Sequence, residues 1–149
     1  MSSVEQYPDY FYVLVADTSP LELGRYTGIT TGDLQTAHLR IYNKNASSFS
    51  YGLSLIVSSS EGGPALATSE TITFSDTAIG QTTANFLCDL TFSFTDFAVT
   101  TAETYYLRLA LTGYTRTSNT TYLGVWCDWY EPLGTSNTAG ARIQFGVMR

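Results

Sequence analysis

Polar and apolar residues alternate in segment after segment of this chain, and a spacing near 3.6 residues is sustained nowhere. Period two marks a strand with one buried and one exposed face, and eight strands follow from it. Residues 10–16 (YFYVLVA) form a continuous apolar run, as expected of a strand covered on both faces or of one whose outer face meets another chain. Residues 34–42 set Ala37, Leu39 and Ile41 on one face and Thr36, His38, Arg40 and Tyr42 on the other. In 49–58 the inward residues are Tyr51, Leu53, Leu55 and Val57. Residues 68–74 are more polar, with Ile72 and Phe74 as their apolar pair, and suit a sheet edge. The strongest alternation is in 85–95: Phe86, Cys88, Leu90, Phe92 and Phe94 face away from Asp89, Thr91, Ser93 and Thr95, which predicts a central core strand. Residues 104–112 turn Tyr105, Leu107, Leu109 and Leu111 inward against Tyr106, Arg108, Ala110 and Thr112. Residues 122–130 oppose Leu123, Val125, Cys127 and Trp129 to Tyr122, Trp126, Asp128 and Tyr130, and 141–148 bring in Ile143, Phe145 and Val147. The core is expected to centre on Phe86, Leu90, Phe92, Leu107, Leu109, Ile143 and Phe145.

Clusters of Gly, Pro, Asn and Ser at 19–20, 28–32, 43–45, 58–64, 76–80 and 134–140 supply turns, and none is long enough to link two domains. Residues 115–121 read as a polar hairpin loop and 100–103 as a strand connection with room for one helical turn. One domain over 1–149 is expected: an all-β, antiparallel two-sheet sandwich, jelly-roll-like, of about eight strands. An immunoglobulin-type sandwich is the alternative. Its hallmark Trp lies between two cysteines, whereas Trp126 and Trp129 flank Cys127 here.

Composition narrows the function classes. Asp, Glu, Lys and Arg make up 13% of the 149 residues, about half the usual share, while Ser and Thr together supply about a quarter, so the surface is polar and mostly uncharged. Seven basic residues, with Lys44 the single lysine, and a net charge of -6 leave no stripe to neutralise several phosphates, and no nucleic-acid partner is expected. No apolar run approaches a membrane span of about 18 residues, and the start MSSVEQYPDY lacks the regions of a signal peptide.

Candidate chemistry is sparse. Cys88 and Cys127 fall on inward faces and read as free buried thiols, with a disulfide open to them if their strands are neighbours. One histidine, His38, on an outward face beside Thr36 and Arg40, offers neither a catalytic arrangement nor a metal site, and no nucleophile elbow, phosphate loop or calcium loop occurs. No enzymatic activity, metal or cofactor is expected. Asn45 and Asn119 open N-glycosylation patterns that read as chance matches. The segment YLGVWCDWYEP at 122–132 stands out, because Trp126, Asp128 and Tyr130 share a face and Glu131 follows. Aromatic planes beside carboxylates hold sugar rings, so glycan binding stands beside plain structural packing of the two tryptophans.

Outward Tyr42, Tyr106, Tyr122, Trp126 and Tyr130 are of the types enriched at interface cores. With its strand-rich body, few charges and polar aromatic surface, the chain resembles the compact β-sandwich accessory proteins of bacteriophage virions, of the capsid-decoration, head-fibre or tail-associated kind. That resemblance implies a non-enzymatic, oligomeric protein in the virion, assembled in the host cytoplasm without an export signal. Its expected partners are other copies of itself or a larger capsid or tail protein. The contact candidates are Tyr42, Tyr106, Tyr122, Trp126, Asp128, Tyr130 and Glu131, with a lectin-like module as the alternative.

Overall fold

The computed structural model describes residues 3–7, 10–15, 20–44, 50–75, 85–112, 122–127, 131–133, 136–138 and 143–148, with side chains for 20–41, 50–75, 89–112, 125 and 143–148. The strands are β1 (Ser3–Tyr7), β2 (Tyr10–Val15), β3 (Leu21–Thr27), β4 (Gly32–Lys44), β5 (Ser50–Ser58), β6 (Ala65–Thr68), β7 (Ile72–Ser75), β8 (Asn85–Val99), β9 (Thr104–Thr112), β10 (Tyr122–Cys127), β11 (Glu131–Leu133), β12 (Ser136–Thr138) and β13 (Ile143–Met148). Every described pairing is antiparallel.

Two sheets result. The first runs β1-β2-β10-β4-β8, with β13 following β10 along the same side of β4; the second runs β3-β9-β5, with β6 and β7 sharing the far side of β5. Eight lanes, numbered from β2, emerge when β6 and β7 count as the fifth and β10 and β13 as the eighth, with β1 added outside β2. Lane order is then 1-8-3-6 in one sheet and 2-7-4-5 in the other, the order produced when a long antiparallel ribbon, pairing 1 with 8, 2 with 7, 3 with 6 and 4 with 5, rolls up on itself. That is the jelly roll.

Alternation fixes which face is buried. Leu34, Ala37, Leu39 and Ile41 of β4, Leu90, Phe92 and Phe94 of β8, and Val125 of β10 join Leu53, Leu55 and Val57 of β5 and Tyr105, Leu107, Leu109 and Leu111 of β9 in one core. Four of the expected core residues, Leu90, Phe92, Leu107 and Leu109, are buried in it; Ile143 and Phe145 pack on its margin. The side chain of Phe86 lies outside the described residues.

Several expectations need correction. β8 has the strongest alternation, yet among the described residues it pairs with β4 alone and is outermost in its sheet. Alternation reports one buried face and carries no information on how many neighbours a strand has. Residues 43–44, read as part of a turn, continue β4, because Asn43 and Lys44 are held between Phe86 and Asn85 on one side and Leu123 and Tyr122 on the other. Pairing on both edges overrides their turn preference.

β3 had no counterpart in the sequence reading. Its register slips between Glu22 and Gly24, so that Leu23 is inserted as a bulge and Leu21, Glu22, Leu23 and Gly24 are all buried in succession. A bulge breaks period two. β1, outside β2, and the β11–β12 ribbon, with β12 inside the expected 134–140 turn, had no counterpart either, while β10 and β13 are two segments of one lane; the sandwich body, β1 apart, keeps the expected eight.

The 68–74 strand is at an edge, as expected, but it is split. Ser69 N–H donates to the Leu55 carbonyl (2.9 Å) and Ser69 Oγ accepts from the Leu55 N–H (2.8 Å), so one serine satisfies β5 where β6 ends. Glu70 N–H then donates to the Ser93 carbonyl on β8 (2.8 Å), tying the two sheets together along that edge. Residues 100–103 form the turn from β8 to β9, with Glu103 N–H donating to the Thr100 carbonyl (3.2 Å). Thr31 Oγ1 accepts from the Thr101 N–H (3.0 Å), which fixes that turn to the β3–β4 connection.

Candidate functional site

The residues expected at a contact site are distributed over both sheets and the small β11–β12 ribbon. Tyr42 pairs with Leu87 and Gly124, Tyr122 with Lys44, and Trp126 with Tyr12, all in the first sheet. Tyr106 sits on β9 of the second sheet, half-buried between Arg25 and Ser58. Glu131 opens the separate ribbon of β11 and β12, paired with Thr138. The 122–130 segment is a strand as far as Cys127, and Asp128 and Tyr130 lie outside the described residues. No single flat surface can use both Tyr106 and the outward residues of β4, because their sheets face opposite ways.

Register also separates the cysteines. Cys88 on β8 and Val125 on β10 flank Ile41 of β4 from opposite sides, and Cys127 is two residues beyond Val125. Two strand spacings put the cysteine Cα atoms about 10 Å or more apart, beyond the roughly 7 Å that a disulfide spans. Their strands are not neighbours.

The outer face of the first sheet is described along β4, β8 and β13. Arg40 and Asp89 are register partners and join by two hydrogen bonds, Nε to Oδ1 at 2.7 Å and Nη2 to Oδ2 at 3.1 Å. Those bonds hold the Asp89 carboxyl below its ordinary range, with the Arg40 and His38 charges acting in the same direction. Next along the strands, His38 Nδ1 and Thr91 Oγ1 share a hydrogen bond (2.9 Å), with Gln144 of β13 opposite His38. Thr36, opposite Ser93, follows. Arg40 and Asp89 are thus matched across the register, hydroxyls fill much of the rest, and farther along β8 the exposed Asp96 accepts from Gln35 Nε2 (3.1 Å).

The outer face of the second sheet carries a cluster that the sequence reading missed along with β3. Glu22 is 9% exposed although it points to the outer side, because the 59–64 loop folds back over it. Glu22 Oε1 accepts from the Gly62 N–H (3.1 Å); Arg108, its register partner, donates to the Gly63 carbonyl (3.0 Å) and to Ser58 Oγ (3.3 Å). Burial pushes the Glu22 carboxyl above its ordinary 4.5; the Gly62 bond and the Arg108 charge pull it down, and Glu61 pushes it up. A turn from Ser60 to Gly63 closes the loop, and Gly62 occupies left-handed backbone there (φ 66°), which favours glycine. A usable signal was the acid between two leucines in Leu21-Glu22-Leu23, matched by Arg108 on the polar face of β9.

A groove of about 430 Å³ opens between residues 28–30 and the β13 residues Ile143, Gln144, Phe145 and Val147, and among the described residues no titratable side chain lines it. Among the described residues no three His, Cys, Asp or Glu side chains gather as a metal would require, and no helix is long and apolar enough to cross a membrane. Comparison with family models, with curated proteins and with solved structures returned no match.

Proposed function

We propose that this chain is a non-enzymatic structural component of a bacteriophage virion, of the capsid-decoration or fibre-associated kind, acting through contacts with other copies of itself or with a larger capsid or tail protein. The outer face of β4 and β8 carries the proposal. Its Arg40–Asp89 ion pair is satisfied within the sheet, and many of its remaining described positions bear hydroxyls, so a partner can cover that part of the face without separating the pair. Little net field on such a face also leaves copies weakly protected from association. Jelly rolls build both capsid and lectin domains, so the fold is compatible with the proposal without selecting it; the surface character is what supports it.

The test is native mass measurement of the protein alone and with capsid and tail proteins, run beside a glycan-binding screen. A defined oligomer or a stable complex is the expected result. A protein that stays monomeric at high concentration, joins no virion protein and binds a glycan through Trp126 and Tyr130 would replace this reading with the lectin-like one.

A further inference from the structure

We propose that the open edge of β13 is a strand-acceptor site, where an extended, uncharged segment of a partner protein, apolar at every second residue, pairs antiparallel with Phe145 and Val147 and fills the groove beside them. The Glu70 N–H reaches the Ser93 carbonyl from outside the β4–β8 pair, so Ser93 turns its backbone groups away from β4. Opposed residues of an antiparallel pair either exchange both bonds or neither, so Thr36, the partner of Ser93, turns its own groups toward β13. The Thr36 carbonyl oxygen accordingly lies 3.8 Å from where a Cβ on Gly146 would stand. Gly146 and Gln144 therefore direct their N–H and C=O groups at β4, and Phe145 and Val147, at the alternate positions, present theirs outward. β10, in the same lane, is covered by β2 and then by β1, whereas among the described residues β13 pairs with β4 alone. A bare edge of this kind is a template for one more strand.

The groove defines that strand. Ile143, Phe145 and Val147 are half-buried along one wall, opposite Ile29 and Thr30, and Tyr26 sets its ring edge-on to Phe145 with centroids 5.5 Å apart. With no titratable side chain among the described lining residues, a charge entering the groove would lose its hydration and gain no partner. Residues that exchange bonds across an antiparallel pair carry their side chains on the same face. The segment's residues bonded to Phe145 and Val147 are thus the ones whose side chains enter the groove, and they are apolar. A folded second copy fits this place poorly: β2 and β1 stand two strand spacings, about 10 Å, beyond the lane of β10 and β13 and would meet a flat neighbour first, whereas a single strand fits the recess. The site lies on the edge of the first sheet and is independent of any contact through the β4 and β8 face.

The probe is the pentapeptide acetyl-Thr-Val-Thr-Val-Thr-amide in two forms, one N-methylated at every threonine and the other at both valines. The first keeps the valine edge free to pair with β13 and cannot stack on itself; in the second that edge is blocked. Each is titrated to millimolar concentration into nitrogen-15-labelled protein. Without peptide, the Phe145 and Val147 amides should exchange freely with solvent while those of Gln144 and Gly146 are protected. The threonine-methylated peptide should shift the Phe145 and Val147 signals and slow their exchange, and the valine-methylated peptide should do neither. Val147→Pro removes an outward N–H and no bond to β4, so it should abolish the response at Phe145 while Gln144 and Gly146 stay protected. Because the two peptides are compared on the wild-type protein, the test stands whether or not that variant folds. Edge amides that are protected without peptide and released on dilution would put a second copy in the recess. That result, an equal response to both peptides, a response to the valine-methylated one alone, no response to either, or an undiminished response in folded Val147→Pro overturns the proposal.

Discussion

Phe92 and Asp89 lie three residues apart on one strand and illustrate how differently single residues matter. Phe92 is fully buried in the shared core, so Phe92→Ala should cost about 3–5 kcal/mol in urea unfolding, through lost burial and the cavity left behind. A loss under about 1 kcal/mol would mean that the side chain faces outward, as a one-residue slip of register requires. Asp89 is bonded to Arg40 but both are well exposed, so Asp89→Asn should cost no more than about 1 kcal/mol at moderate salt. Its contribution is present above the ordinary 3.8 and is lost as pH falls through the lowered folded value. Glu22 has the opposite sign: with its folded value raised, stability declines as pH rises from 4.5 through that value, and Glu22→Gln should remove this decline from a plot of unfolding midpoint against pH. At the two cysteines, thiol titration of the unreduced, denatured protein should count two free thiols, since lane order keeps Cys88 and Cys127 apart.

Elements were legible where period two is unbroken. The strands around Leu39, Leu55 and Leu107 could be placed because every second residue is apolar, and those residues are the buried ones. β3 was not legible, since its bulge at Leu23 puts apolar and acidic residues on the inner and outer faces out of phase. Lane order was not legible either: the adjacency of β8 to β4, or of β9 to β3, depends on contacts between distant segments that no local pattern encodes. The Glu22, Glu61 and Arg108 cluster fell with β3. It exists only because a loop from β5 returns over a strand far from it in sequence. The edge break at Ser69 offers a test of these local satisfactions. Ser69→Ala leaves the Leu55 N–H without its acceptor in a buried setting, and the loss should be about 1–3 kcal/mol. A neutral result in the same urea assay would show that water replaces the hydroxyl there.

At the scale of the whole molecule, the sandwich offers two outer faces that cannot serve one contact, and they differ in a way that predicts which is used. On the second sheet, the 59–64 loop is fastened over Glu22 and Arg108, so part of that face is already covered. On the first sheet, the β4 and β8 face presents Arg40 paired with Asp89, His38 bonded to Thr91, and Thr36. An interface of more than about 1,000 Å² is therefore expected on the first sheet. Thr91→Glu puts a second carboxylate beside Asp89 without touching the core, as Thr91 is exposed. Copies meeting through that face would then oppose like charges, so association should weaken and recover partly in high salt. Trp126→Ser with Tyr130→Ser should also weaken it, whereas Tyr106→Ser, on the opposite sheet, should leave it unchanged. Sedimentation velocity at several concentrations reads all three. If Tyr106→Ser dissociates the assembly and Thr91→Glu does not, the contact belongs to the second sheet, and loosening of the loop would become a step in forming it.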